Sequence, residues 1–143
     1  MKKTAFVLMT ALFLLSCSNK KQEQTQVKEE IQQDGIEVLY FHGKQRCKSC
    51  VSIELRTKEM LDTYFAQEMK EGKIVFKAID ISLTENEPIA DKYEIAFSSL
   101  LVIKHQNGDE TVKNLTDFGF SYAYKNPETF IEGMKEEIDA LLK

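Results

Sequence analysis

Apolar residues along this chain fall into a short run at the start, a long polar gap, and then runs that alternate between strand and helix periods. Residues 36–41, IEVLYF, are β-branched and aromatic and are bounded by Asp34-Gly35 and Gly43, which predicts a strand buried over most of its length. From Cys47 to Lys70 there is no Gly or Pro, and Val51, Leu55, Leu61, Tyr64, Phe65 and Met69 roughly follow helical spacing. One long helix stopped at Gly72 is therefore predicted. KIVFKAID, 73–80, predicts a second strand, ENEPIADKYEI a short helix from about Pro88 to Tyr93, and SLLVIKH, 99–105, a third strand. Asn107-Gly108 predicts a tight turn into a fourth strand, ETVKNL. The chain closes on NPETFIEGMKEEIDALLK, a helix with Asn126 as cap, Pro127 in the first turn, and Phe130, Met134, Ile138 and Leu141 on one face.

The predicted order, β-α-β-α-β-β-α, implies an α/β fold: a crossover helix between parallel strands, then an antiparallel hairpin, making a mixed four-stranded sheet with helices on both faces. Tyr64, Phe65, Phe76 and Phe97 are assigned to the core, and the charges of KEMLDTYFAQEMKEGK to a solvated helix face. TDFGFSYAYKN, 116–126, places two Phe and two Tyr around Gly119 between the last strand and the last helix. These aromatics suit either a segment covering the sheet edge or a lip that binds a partner.

The opening run changes the picture of where the domain resides. MKKTAFVLMTALFLLSC has Lys2 and Lys3, then an uncharged apolar stretch from about Thr4 to Leu15 that is too short for a permanent membrane span. It reads as an export signal. Leu14, Leu15, Ser16 and Cys17 resemble the lipobox of bacterial lipoproteins, which implies cleavage after residue 16 and acylation of Cys17. Each acyl CH₂ then adds roughly 0.8 kcal/mol of membrane affinity. The plainer alternative is an ordinary cleaved signal with an incidental cysteine. Residues 18–35 are rich in Lys, Gln and Glu and too poor in apolar residues to order themselves. The expected organisation is a lipoprotein signal over 1–16, a lipidated cysteine and polar tether over 17–35, and a domain over 36–143. The tether would hold that domain on the order of 20–25 Å from the membrane. The domain is thus expected in the periplasm, anchored in the bacterial cell envelope.

Composition adds bounds. The 143 residues, 43% hydrophobic and 29% charged, suffice for one globular domain with a core that needs no cross-link. The net charge of −4, or −6 once Lys2 and Lys3 leave with the signal, argues against a nucleic-acid surface. A monomer is expected. Of three cysteines, lipidation uses Cys17 and leaves Cys47 and Cys50, an even pair in a compartment where disulfides persist.

That pair, CKSC, carries the candidate chemistry. A spacing of three puts both sulfurs on one face of the first helical turn, close enough for a disulfide. A helix N-terminus favours negative charge, and Lys44, Arg46 and Lys48 add cationic neighbours, so the Cys47 thiol is expected to ionise readily. A purely structural disulfide here would close too small a loop to constrain the unfolded chain much. Metal chemistry is the stronger alternative: Cys47 and Cys50, completed by His42, make a set suited to Cu(I) or As(III). His105 lies beside the hairpin turn and reads as a solvated or hydrogen-bonded side chain. No motif for flavin or nicotinamide is present.

A C-x-x-C at the junction of first strand and first helix, inside this element order, resembles the thioredoxin fold over roughly residues 36–142. VFKAIDISLTENEPIADKYEI followed by SLLVIKHQNGDE is similar to the central half of thioredoxins. YFHGKQRCKSC, IADKYEI, SSLLV and DFGFSYA are more finely similar to small exported proteins called the nitrophenyl compound nitroreductase subunit ArsF family. The resemblance implies a three-layer α/β/α sandwich. It also implies a thiol-disulfide oxidoreductase or electron relay, accessory to a larger reductase, in which Cys47 attacks and Cys50 resolves the mixed disulfide. The redox disulfide itself would be the only cofactor, and the partner a periplasmic or membrane protein. This chain departs from thioredoxins where their cis-proline precedes the third strand: Ser99 stands at or next to that position. A cis bond before a non-proline residue costs about 2.5–4 kcal/mol, so a trans peptide is expected there. Both thioredoxin tryptophans are missing, with His42 and Arg46 near where aromatics would stand, and no buried acid precedes the pair within VLYFHG, 38–43.

Overall fold

The structure is a computed structural model that describes residues 34–143. The expected signal, Cys17 and nearly all of the tether lie outside the described residues. Within them the chain forms β1 (Gly35–His42), α1 (Lys48–Tyr64), α2 (Ala66–Lys70), β2 (Ile74–Asp80), α3 (Glu87–Lys92) after a 3₁₀ turn at Thr84–Asn86, β3 (Ser99–Gln106), β4 (Asp109–Asn114), α4 (Thr116–Tyr122) and α5 (Pro127–Leu142).

The four strands make one sheet in the order β2-β1-β3-β4. β1 runs parallel to β2, with Tyr40 opposite Ala78 and His42 opposite Asp80, and antiparallel to β3, with Phe41 opposite Ser99. β3 and β4 form the antiparallel hairpin. Its turn sets Asn107 and Gly108 at φ 55° and 86°, the pair of positive values that a type I′ turn demands. Alternation along β1 divides the core. Ile36, Val38 and Tyr40 face Ile53, Met60 and Leu61 of α1 and Phe130, Met134 and Ile138 of α5. Leu39 and Phe41 face the other way, toward Ile89 and Tyr93 around α3. A β1-α1/α2-β2 parallel crossover, an antiparallel hairpin in this strand order, and helices on both faces constitute the thioredoxin-like fold.

Glu37 is the one acid inside β1. It is buried, and the low-dielectric surroundings are offset by Lys77 at 2.6 Å and the His105 ring at 3.1 Å. This occupies His105, on the α3 side of the sheet.

Several expectations need correction, the core assignment of Tyr64 among them. The single helix predicted over 47–70 is two, broken at Phe65 (φ −131°, ψ 22°), where no Gly or Pro marks the place. The break buries Phe65 and leaves Tyr64 half exposed. The stripe that α1 buries is Cys50, Ile53, Thr57, Met60 and Leu61, whereas Val51 and Leu55 face solvent. Phe97, assigned to the core, is 68% exposed. The connection predicted over 116–126 contains α4. Thr116 Oγ1 accepts the Leu100 N–H at 3.0 Å, and Gly119 lies close to Ile53 and Leu100, so the glycine permits a close helix approach and does not end the helix. Of its aromatics, Phe118 and Phe120 pack against the core while Tyr122 and Tyr124 stay exposed. The caps at the other ends follow the sequence: Gly72 adopts φ 71° after α2, and Asn126 Oδ1 accepts the Thr129 N–H at 3.4 Å to start α5.

Candidate functional site

The cysteines lie where β1 hands the chain to α1. Cys47 is the N-cap of α1, with extended backbone (φ −77°, ψ 169°), so it stands outside the helix instead of in its first turn. Its Sγ accepts the Cys50 N–H at 3.2 Å, the role an Asp or Ser oxygen usually fills at a cap. Both residues are free thiols; Cys47 is exposed and Cys50 is 7% exposed. An incoming group can therefore reach the first sulfur and not the second.

The Cys47 thiol is held below its ordinary pKa. The largest cause is the hydrogen bond with the Cys50 side chain, followed by the Cys50 N–H, with the Ser49 N–H adding to it and slight burial opposing. No acid occupies the first turn of α1 to counter this. A thiol whose folded pKa lies below its unfolded value, about 8.5, contributes stability to the reduced protein above that value and loses it as pH falls through the folded pKa.

The expected cations are arranged differently from one another. Arg46 turns inward: one terminal nitrogen pairs with Glu54 at 2.6 Å, the other donates to the Cys50 carbonyl at 3.2 Å, and the guanidinium lies 5.6 Å from the Tyr40 ring centroid. Glu54 also accepts from Lys58 at 2.5 Å. Burial works against its charge, but the hydrogen bonds from Lys58 and Arg46 prevail and hold the carboxyl below the usual range. Lys44 is exposed and acts with His42 on Asp80, whose carboxylate is held low first by its bonds to Ser82 Oγ and N–H. Lys48 is exposed at the start of α1.

His42 is half-buried, with Nδ1 3.1 Å from the Gly43 carbonyl oxygen and its ring 5.9 Å from that of Tyr40. Among the described residues no three His, Cys, Asp or Glu side chains converge as a metal-binding group, so His42 is not gathered with the two sulfurs. Ser99 opens β3, buried opposite Phe41, and its Oγ donates to the Phe97 carbonyl at 2.9 Å. The described peptides are all trans.

Two residues of the site carry no signal in the C-x-x-C spacing. Tyr40, fully buried on the inward face of β1, has its phenol pushed up to about 12, first by burial and then by the neighbouring Cys50, against the pull of Arg46. Glu54 fixes Arg46 from two turns along α1. The only hint in the sequence is a polar-tipped aromatic within the apolar run VLYF, 38–41.

No protein-family model matches the sequence, and no curated protein matches it. Solved structures similar to it include a malarial protein, 16% identical, covering 64% of this chain and 98% of that one with a TM-score of 0.39. Another is thioredoxin-2, described as a component of the malaria parasite protein secretion machinery: 18% identical, covering 72% of this chain and 84% of that one, TM-score 0.44. The fold assignment rests on strand order and crossover, not on these likenesses. Among the described residues no helix is long and apolar enough to cross a membrane.

Proposed function

We propose that this is a thiol-disulfide exchange domain whose Cys47 and Cys50 cycle between dithiol and disulfide against a partner protein. The observation that supports it is an exposed, acidified thiol capping a helix directly beside a buried one. The Cys47 thiolate attacks one sulfur of the partner's disulfide, forming a mixed disulfide and releasing the other partner sulfur as a thiolate that takes up a proton. Cys50 then gives its proton to solvent and attacks Cys47 Sγ. The Cys47–Cys50 bond forms, the mixed bond breaks, and the partner leaves as a dithiol with the two electrons. Read in reverse, the same steps oxidise the partner.

The leader and Cys17 support export and a lipid anchor, with the partner in the periplasm or membrane. The likeness of YFHGKQRCKSC and DFGFSYA to the ArsF family supports an accessory role to a larger reductase. A Cys50→Ser variant tests exchange. It is expected to accumulate a mixed disulfide through Cys47 when offered envelope proteins, and the adduct should vanish when Cys47 is also replaced. No adduct under either oxidising or reducing conditions would contradict exchange. Tight stoichiometric Cu(I) or As(III) binding that is lost on His42→Ala would then establish the soft-ion role in its place.

A further inference from the structure

Among the described residues three buried side-chain polar atoms have no hydrogen-bond partner: Tyr40 Oη, Arg46 Nε and Thr57 Oγ1. The first two meet beneath Cys50. Tyr40 is 0% exposed, and its phenol and the Cys50 thiol are close enough to act on each other. Arg46 lies over the Tyr40 ring with its terminal nitrogens committed to Glu54 and to the Cys50 carbonyl, and its guanidinium acts on the Tyr40 hydroxyl.

An unpaired buried hydroxyl costs stability, and Phe would fill the same space without that cost. The Tyr40 hydroxyl can accept from Arg46 and still donate its own proton, which it keeps because the phenol is harder to ionise than usual. What a buried hydroxyl donor beside the Cys50 sulfur can serve is that sulfur once it is negative, because a thiolate accepts charge-assisted hydrogen bonds that a thiol accepts weakly. The other titratable groups around this point are Cys47 above, His42 beside Tyr40, and Glu54 with Lys58 behind Arg46.

We infer that Tyr40 Oη–H is a positioning donor for the Cys50 thiolate, without a hydrogen-bond partner in the resting dithiol and engaged when Cys50 ionises to resolve the mixed disulfide. This rests on the exchange reading above. The proton leaves Cys50 for solvent, and the Tyr40 hydroxyl holds the charge until the Cys47–Cys50 bond forms.

The aromatic disulfide dithiobis(nitrobenzoate) separates the steps, since attack by Cys47 releases one coloured thiolate and resolution by Cys50 releases a second. In Tyr40→Phe the second release is expected to slow by about tenfold at neutral pH, the loss of one hydrogen bond to a charged group, and its pH midpoint to rise. The first release should keep its rate, and the melting temperature should equal or exceed that of the wild type. A second release with unchanged rate and pH midpoint would overturn the inference, as would equal slowing of both releases together with a lowered melting temperature. Failure of the wild type to give a second release at all would instead sink the exchange reading itself.

Discussion

Cys47→Ser is expected to abolish disulfide exchange while leaving the fold intact. Cys47 is the exposed sulfur and Cys50 is almost closed to solvent, so among the described residues no second thiol can take over the attack. A serine hydroxyl does not ionise near neutral pH and cannot attack a disulfide. It is, however, among the best N-cap residues, and its oxygen can accept the Cys50 N–H that Sγ now accepts. Loss of activity and loss of structure are thereby separated. The check is alkylation by iodoacetamide across pH: the wild type should show a phase with a midpoint below the ordinary thiol value near 8.5, and Cys47→Ser should lack it with an unchanged melting curve. A low-pH phase that persists in Cys47→Ser would place the reactive thiolate on Cys50.

Phe130→Ala is expected to cost about 3–5 kcal/mol of folding stability. Phe130 is fully buried in the first turn of α5 and stacks on Phe118 of α4 with ring centroids 5.8 Å apart. Phe118 in turn lies over Gly133, where a Cβ would clash with its ring, so α4 and α5 are fitted to one another around these rings. Removing Phe130 leaves a cavity that neither helix can close without losing that fit. Against the roughly 5–15 kcal/mol of a typical domain this is a large fraction. Urea unfolding should show a much lower midpoint at unchanged slope; a loss below about 1 kcal/mol would mean that α4 and α5 do not depend on this contact.

The same helix pair shows why parts of the fold were legible and others not. The strands announce themselves because β-branched and aromatic runs are bounded by turn residues, and Gly72, Asn107-Gly108 and Asn126-Pro127 each punctuate by a local backbone preference. α4 does not. Thr116, Gly119 and the aromatics read as a connection, and the helix is held by tertiary contacts: the Thr116 hydroxyl on β3 and Gly119 against Ile53. In α1 two apolar stripes about one residue apart compete, and the sheet, not the helix, decides that Ile53 is buried and Leu55 exposed. The break at Phe65 likewise comes from the core that receives its ring.

At the site, the two sulfurs and their place at a strand-to-helix junction follow from spacing alone. The destinations of the cations do not. Arg46 could be counted as a charge near Cys47, but which carboxylate captures it depends on Glu54 lying two turns along the helix, and that fixes the guanidinium under Cys50. Tyr40 joins the site through the alternation of β1 and the strand's position under α1, which only the assembled sheet reveals.

The central claim, that Cys47 and Cys50 are a redox couple, is tested most directly by equilibrating the purified protein in buffers of graded thiol-disulfide potential and counting free thiols. One reversible two-electron transition is expected, absent when either cysteine is replaced, with a potential within the catalytic span of roughly −270 to −120 mV. A pair that forms no disulfide across that range, or one that resists reduction to below about −300 mV as structural disulfides do, would contradict it.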